Sequence, residues 1–186
     1  MKIAKIGMKI SQKAAIVALG LALPMMFAAT AQAQFSTGSS APINISADNA
    51  DYQGTTTILK GGVDVRQGDV RVLTDKMTII SEAGGSLTNN GFNRVVAQGN
   101  FYYLTPEQNV RGNMGVYTRS TDTFVVTGDV ILKQEDGNVI TGDKLFYNLS
   151  TKNVKVVGTC KGRKCGSKGR VNILIKNAQT TTANNS

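Results

Sequence analysis

Short runs of alternating apolar and polar residues recur along most of the chain. Clear examples cover residues 43–48, 63–66, 70–72, 154–156 and 171–176. A period of two places successive side chains on opposite faces of a strand, so each run has one apolar and one solvated face. Turn signals interrupt the runs at Gly61-Gly62, Gly68-Asp69, Gly84-Gly85, Asn90-Gly91 and Asp136-Gly137. The pattern predicts strands of about 5–6 residues at spacings of about 8–12, which is typical of an all-β sandwich, roll or barrel.

A weak internal repeat accompanies the strand pattern. A glycine recurs in similar surroundings at Gly61, Gly99, Gly128 and Gly158, at separations of 38, 29 and 30 residues. A period of this size built only from strands predicts stacked β-hairpins that share one apolar seam. Such a stack has an exposed strand at each end, which must be blunted or used for pairing. We expect these edge strands at Pro42–Asp48 and Val171–Lys176.

The N-terminus has the three parts of a secretory signal peptide. Residues 1–13 carry four lysines and no acid, residues 14–29 are apolar, and Ala31-Gln32-Ala33 is an A-x-A cleavage site. The apolar stretch is shorter than the roughly 20 residues of a membrane span, which favours cleavage over a retained anchor. We therefore predict removal of residues 1–33, a flexible leader over 34–41, one domain over 42–176 and a disordered polar tail over 177–186.

Composition excludes several kinds of chemistry. The chain has no His, which removes the Ser-His-Asp and Cys-His catalytic arrangements and His-containing zinc sites. Carboxylates such as Asp64, Asp129 and Asp143 could in principle form the acid–base pair of a hydrolase. They lie, however, at turns or on polar strand faces. We expect no enzyme activity, no metal site and no cofactor.

Charge is concentrated near the C-terminus. The whole chain has 21 Lys+Arg against 12 Asp+Glu, and residues 144–186 hold nine basic residues and no acidic one. In an exported protein the matching anions are lipid phosphates or an acidic partner rather than nucleic acid, although a basic tail that only aids solubility has the same composition.

Two cysteines lie inside this basic region. Cys160 and Cys165 enclose Lys-Gly-Arg-Lys, and two cysteines that close a loop in an oxidising compartment predict a disulfide. The spacing is not the C-x-x-C of redox-active pairs, and two cysteines without other ligands make a poor zinc site. The bridge would hold a compact basic loop that could contact phosphate.

The order of several short motifs is similar to that of the OstA-like family of lipopolysaccharide-transport proteins. The first unit contains Pro42–Asp48 (PINISAD), Tyr52–Gly54 (YQG), Gly61–Gly68 (GGVDVRQG) and Thr74–Met77 (TDKM), and the second contains Val126–Val130 (VTGDV) and Gly142–Leu145 (GDKL). The resemblance covers about residues 42–176. The chain departs from the family pattern at Cys160–Lys168, which reads as an inserted basic hairpin tip.

The resemblance implies a fold and a role. The fold is an open, twisted β-jellyroll of stacked antiparallel strands with an apolar groove. The role is binding of lipopolysaccharide through its lipid A part in the periplasm, and its delivery from an inner-membrane complex to an outer-membrane assembly protein. Copies join end to end by edge-strand addition. Two alternatives stay open: an exported structural module that polymerises through its edges without lipid, and a related component that keeps its N-terminal anchor.

Two groups of candidate site residues follow. Acyl contacts are expected at the apolar positions of the strands, although a groove wall and a core face look alike in sequence: Ile43, Ile45, Ile58, Val63, Val65, Val72, Met77, Ile79, Phe101, Met114, Val125, Val130, Leu132, Leu145, Tyr147, Val156 and Ile173. Phosphate contacts are expected at basic residues near strand ends, which could equally be solvated: Arg71, Lys76, Arg94, Lys144 and Arg170.

Overall fold

A computed structural model describes residues 41–82, 91–160, 162–166 and 169–176. This part of the chain forms ten strands and two short 3-10 turns, Arg119–Thr121 and Arg163–Cys165. The predicted signal peptide, most of the leader, the polar tail and the turn signal at Gly84-Gly85 lie outside it. The strands are β1 Ile43–Ser46, β2 Asn49–Gln53, β3 Thr56–Gln67, β4 Val70–Ser81, β5 Phe92–Leu104, β6 Gln108–Thr118, β7 Thr123–Gln134, β8 Val139–Asn148, β9 Val154–Val157 and β10 Asn172–Leu174.

The strands form one antiparallel sheet that does not close on itself. Its order is β1-β3-β4-β5-β6-β7-β8-β10. At one edge β1 and β2 both pair with β3, and at the other edge β9 and β10 both pair with β8. The prediction of an open all-β architecture of stacked hairpins is confirmed. The predicted strand length is wrong for β3 to β8, which have 10–13 residues.

A line of bulges crosses the middle of the long strands. Pairing shifts between Lys60 and Val63 on β3, and corresponding shifts follow on the pairs from β4 to β8. Gly61-Gly62 therefore lies inside a strand, and its prediction as a chain-reversing turn is wrong. Bulges bend a strand and increase its twist. The double glycine interrupted the alternation without ending the strand, whereas Gly68-Asp69 and Asp136-Gly137 are turns as predicted.

The recurrent glycines of the internal repeat occupy this line. Gly61, Gly99 and Gly128 have φ values of 81°, 80° and 81°, a left-handed region that L side chains rarely adopt. A side chain from an adjacent segment lies over each of them: the carboxylate of Asp48, between β1 and β2, over Gly61, that of Asp75 on β4 over Gly99, and the Asn113 amide on β6 over Gly128. The sequence repeat therefore corresponds to a bulge that recurs on every second long strand, β3, β5 and β7. We call this line of bulges the corner of the sheet.

Contacts between distant parts of the sheet show that it folds over at this corner. Tyr103 on β5 pairs with Val110 on β6, which in turn pairs with Leu132 on β7. Phe124 lies on β7 eight residues before Leu132. In a straight strand that separation spans roughly 26 Å. The rings of Tyr103 and Phe124 are nevertheless 5.4 Å apart between centroids. The two halves of each long strand therefore pack face to face around an apolar interior.

Candidate functional site

The interior of the folded sheet is lined by the apolar inner faces of its strands. Fourteen of the seventeen predicted acyl-contact residues lie on this face. The buried ones are Val63, Val65, Val72, Met77, Ile79, Phe101, Val130, Leu132, Leu145 and Tyr147. The other four, nearer the sheet edges, are Ile43, Ile45, Val156 and Ile173.

Three predicted acyl-contact residues lie on the outer face, so the structure does not bring them to the interior. Ile58 and Val125 are half-buried there, each beside an inward-facing residue, Leu59 and Val126. In both cases two apolar residues are adjacent, and alternation does not reveal which one points inward. Met114 lies on the outer face because the extra residue Asn113 at the bulge line reverses the alternation along β6.

Several interior residues were not among the sequence candidates. Tyr103 follows Phe101 by two positions, so extending the alternation from Phe101 would have found it. The others lie in strands whose pattern is interrupted by bulges, except Leu149, which lies in the turn after β8. The buried apolar residues that the candidate set missed are Leu59, Val70, Phe92, Val95, Ala97, Tyr103, Val110, Tyr117, Phe124, Val126 and Leu149.

The centre of the interior is filled by aromatic rings. Phe101 is fully buried, and its ring centroid is 5.2 Å from that of Phe124. The ring of Tyr103 lies between those of Phe124 and Tyr147. Phe101 fits because Gly115 faces it, and a Cβ at Gly115 would lie 2.7 Å from the ring. An acyl chain could enter this part of the interior only if the two halves of the sheet moved apart.

The polar side chains buried in the interior are uncharged: they are the phenols of Tyr103, Tyr117 and Tyr147 and the side chains of Thr57, Gln67, Thr74 and Ser81. Burial raises the pKa of Tyr103 and of Tyr117 far above neutral pH. The Tyr117 hydroxyl donates a hydrogen bond to Asp122 Oδ1 at 3.0 Å, which satisfies the phenol while keeping the carboxylate at the rim. Since no charged side chain is buried in the described core, the interior suits an uncharged, apolar ligand.

The interior is open at the two edges of the sheet. At one edge Ile43, Ile45 and Ala47 pack against the core while remaining partly exposed. At the other edge Ile173 points to the same face, and 63% of its surface is exposed. The adjacent Leu174, on the opposite face, is equally exposed at 66%. The apolar lining is therefore continuous from the filled centre to both open ends.

The predicted headgroup residue Arg71 is part of an ion-pair cluster on the outer face. Its guanidinium donates to both carboxylate oxygens of Asp64 at 2.9 and 2.8 Å, and Arg66 also contacts that carboxylate at 2.8 Å. Hydrogen bonds from Arg71 and then Arg66 hold the pKa of Asp64 well below its ordinary range. The cluster is preorganised, and two of the five N–H donors of Arg71 are directed at Asp64 rather than at a ligand.

The other four headgroup candidates are spread over the surface. Lys76 and Lys144 lie in one outer row but four strands apart, roughly 19 Å along the sheet. The Lys144 ammonium lies 5.1 Å from the ring centroid of Phe146. Arg94 is exposed on β5. Arg170 borders an open depression of about 270 Å³ beside β7 and β8. The structure does not bring these residues together in one phosphate site.

A disulfide-closed loop interrupts the last edge of the sheet between β9 and β10. Cys160 and Cys165 are bonded, with Cα atoms 6.2 Å apart. The base of the loop is held by the backbone bond from Cys160 N to Gly169 O at 2.7 Å. Asp143, on β8 at the bulge line, accepts hydrogen bonds from Thr159 N and Oγ1 at 2.6 and 2.9 Å. The loop therefore starts from the same corner that the glycine repeat marks elsewhere.

The described residues hold no cluster of three or more metal-ligating side chains. Within those same ranges, no helix is long and apolar enough to cross a membrane.

Together, the folded-over open sheet and its apolar interior define an open β-jellyroll with accessible ends. A family model described as "LptA/(LptD N-terminal domain) LPS transport protein" matches residues 44–153. The chain belongs to this family of lipopolysaccharide-transport proteins, as the motif order predicted. The role of the family is transport.

The chain is also similar to individual relatives. The chain is 31% identical over 111 residues to the lipopolysaccharide export system protein LptA of Escherichia coli K12, a match that spans 57% of the chain and 59% of that relative. It is 26% identical over 166 residues to an uncharacterized protein of Rhizobium meliloti, spanning 83% of the chain and 88% of the relative.

The fold is also that of a solved structure. The crystal structure of LptH from Pseudomonas aeruginosa, described as the LptA-homologous periplasmic component of a lipopolysaccharide transport device, superposes with a TM-score of 0.59. The match covers 74% of the chain and 96% of LptH at 22% identity. The predicted β-jellyroll is confirmed.

Proposed function

We propose that this chain is a periplasmic lipopolysaccharide carrier that bridges the inner and outer membranes. Copies would join end to end, and lipid A would pass along their apolar interiors. One terminal edge would receive an inner-membrane transport component, and the other would meet an outer-membrane assembly protein. The observation that carries the proposal is the continuous apolar lining, buried at the centre and exposed at both sheet edges.

The energetics favour acyl chains as the cargo. Burying a CH₂ group contributes about 0.8 kcal/mol, so even part of one acyl chain outweighs several polar contacts. The inner face offers aliphatic and aromatic side chains with a few neutral polar groups, so its described part buries no charged side chain against which a hydrocarbon would have to pack. Phosphates would remain outside, where Lys76, Arg94, Lys144 and Arg170 supply scattered positive charge.

Entry of lipid requires the filled centre to open. Phe101 and the rings around it occupy the space between the two halves of the sheet. The halves are joined through the bulge line on one side, and no barrel closure locks the edges. We infer that acyl chains enter at the edges first and separate the halves as they advance.

Photo-crosslinking in cells tests this proposal with a matched pair of neighbours. A photoreactive residue at Ile173 faces the interior opening, whereas one at Leu174 faces outward with nearly the same exposure. We expect lipopolysaccharide adducts at Ile173 and at Phe101, and none at Leu174. Adducts at Phe101 would require the interior to open, because that ring is fully buried.

Two results would contradict the proposal. Equal adducts at Ile173 and Leu174 would indicate nonspecific contact of an exposed edge with lipid. Self-adducts without any lipopolysaccharide adduct, at Ile173 or at Phe101, would favour the structural polymer over the carrier. Fractionation tests the location, since a chain retained in the inner-membrane fraction would identify an anchored component.

A further inference from the structure

The corner divides the sheet into two halves that end in different edge strands. One half ends in β2 and β9 and the other in β1 and β10, so we call them the β2–β9 half and the β1–β10 half. Their inner faces pack together, which leaves two outer faces. Among the described elements no second layer covers either outer face, because all the described strands belong to one sheet. Each outer face is therefore available to a partner.

An apolar row crosses the outer face of the β2–β9 half. Its members lie directly opposite each other on successive strands, from β3 to β8, and all of them are half-buried. Six neighbouring strands make the row roughly 24 Å long. The outer apolar row consists of Ile58, Thr78, Val96, Val116, Val125 and Phe146. It forms a flat strip that is interrupted only by the one threonine.

Basic residues surround this row. The neighbouring row on the corner side contains three lysines and no acid, and the row on the other side contains one arginine and no acid. The outer apolar row itself continues to Asp51 on β2 and to a lysine on β9. None of these five cations forms an ion pair within the described residues, where the ion pairs share Asp64. The five cations are Lys60, Lys76, Arg94, Lys144 and Lys155.

The outer face of the β1–β10 half lacks this combination. The corresponding row is interrupted by Asp64 and by Arg111, whose guanidinium lies 5.8 Å from the ring centroid of Tyr102. The hairpin turns of this half also carry acidic residues that offset its basic ones. These acids are Asp69, Glu107, Glu135 and Asp136. The apolar row with a basic surround is therefore a property of the β2–β9 half.

Carboxylates at the corner bound the basic surface on one side. They lie beyond the lysine row, where the sheet turns away from the β2–β9 face. Asn100 Nδ2 donates to Asp75 Oδ2 at 3.0 Å, and Thr159 N donates to Asp143 Oδ2 at 2.6 Å. A partner of opposite charge would therefore approach the flat face rather than the corner. The corner carboxylates are Asp48, Asp75, Asp129 and Asp143.

The chemistry of this face favours an anionic partner without a fixed shape. A second copy that presented the same face would bring like charges together, which argues against it. Four of the five cations are lysines, which act as point charges on flexible stems, whereas recognition of one fixed phosphate favours the arginine fork. A lysine stem can lie along apolar surface while its ammonium reaches outward. A flat apolar strip within a lysine surround matches the headgroup boundary of an anionic bilayer.

We propose that the outer face of the β2–β9 half docks on the surface of an anionic phospholipid bilayer, with Lys60, Lys76 and Lys144 on lipid phosphates. The site lies on the opposite side of the sheet from the interior, so it goes beyond the proposed carriage of lipopolysaccharide and does not depend on it. Because the outer apolar row runs from one edge of the sheet to the other, a docked copy has both edges in the membrane plane. Such a copy rests on one membrane instead of reaching between two.

Charge reversal tests the face by cosedimentation of the exported chain with vesicles. The vesicles are phosphatidylcholine with about one third phosphatidylglycerol, and Lys76→Glu/Lys144→Glu should weaken binding about tenfold or more. Arg111→Glu/Lys133→Glu makes the same change of net charge on the other outer face. It should stay within about twofold of the original chain, since two packed layers hold it beyond the screening length of roughly 8–10 Å. All variants share the same termini, so terminal contributions cancel.

An introduced indole tests the orientation without a change of charge. The chain has no Trp, so one new Trp reports on one position. Val125→Trp places it in the outer apolar row, and Ile131→Trp places it on the same strand at a half-buried outward position of the β1–β10 half. Brominated phosphatidylglycerol in the vesicles should quench the fluorescence at position 125 and leave that at position 131. Far-UV circular dichroism checks that each variant retains its strands.

Several outcomes would overturn the docking proposal. Equal binding to pure phosphatidylcholine vesicles would indicate uptake of acyl chains by the interior instead of docking. An equal effect of the two charge reversals, no effect of either, or equal quenching at the two Trp positions would remove the assigned face. Polyglutamate binding that depends on Lys76 and Lys144, without vesicle binding, would assign the face to an acidic protein. Lipopolysaccharide adducts at Ile173 test the carrier separately, so either proposal can fail while the other stands.

Discussion

The corner glycines make a sharp prediction, because two adjacent ones both have positive φ but differ in what a side chain would meet. Gly61 and Gly62 both have positive φ, 81° and 51°. A Cβ at Gly61 would lie 2.7 Å from Asp48 Cβ and still closer to its carboxylate, whereas a Cβ at Gly62 would meet nothing within 4 Å. Gly62→Ala therefore introduces only backbone strain, and Gly61→Ala adds a collision.

The magnitudes follow from these two effects. A left-handed conformation costs an L residue about 1–2 kcal/mol, which is the expected loss for Gly62→Ala. Overpacking against a neighbour that must move costs about 1–3 kcal/mol more, so Gly61→Ala should lose about 2–5 kcal/mol in total. The part of the difference that comes from the collision is the part that disappears when Asp48 is removed.

Urea unfolding at neutral pH measures both free energies of unfolding. A second pair of measurements uses Asp48→Gly as the background, because that change removes the colliding Cβ as well as the carboxylate. In this background the penalty of Gly61→Ala should fall to that of Gly62→Ala. Equal losses for the two single variants, or an undiminished difference in the Asp48→Gly background, would refute the packed-corner explanation of the repeat.

Three further predictions concern the interior and the outer ion pairs. Phe101→Ala should lower the free energy of unfolding by about 3–5 kcal/mol in urea titration, and a loss below about 1 kcal/mol would mean that the centre is not packed as described. Tyr117→Phe should cost about 1 kcal/mol, since it removes the bond to Asp122; no loss would indicate that this bond contributes nothing. Because the folded-state pKa of Asp64 is lowered by Arg71, its contribution is present above the ordinary pKa of 3.8 and is lost as pH falls through the lower folded value. Wild type and Asp64→Asn should therefore differ by about 1 kcal/mol at pH 6 and converge in stability as pH falls below about 3, and a constant difference would contradict the assignment.

The internal repeat shows which structural features a sequence pattern can predict. Glycines at 61, 99, 128 and 158 indicated a hairpin period, and the sheet has that period. Their role was misjudged at Gly61-Gly62, because a double glycine permits both a chain reversal and a bulge. The choice depends on Asp48 and on the neighbouring strands, which come from elsewhere in the chain.

Part of the apolar interior was also predictable from a local sequence pattern. Alternation placed Val63, Val65 and Leu132 on the buried face, since the period of two is a local property of an extended backbone. It failed where a bulge adds a residue, as Asn113 does before Met114, or where two apolar residues are adjacent. The basic candidates were chosen one by one, and residue type alone did not reveal that Arg71 is directed at Asp64.

By itself the sequence determined the all-β class, the repeat, the two edges and the motif order of a lipopolysaccharide-transport family, because these depend on local periodicity and on neighbouring residues. Only the tertiary structure decided that the sheet folds at its bulge line, that Tyr103 meets Phe124 across the interior, and that Lys76 and Lys144 lie in one outer row four strands apart. Those features require strands far apart in sequence to be brought into one register, and local backbone preferences do not specify that register.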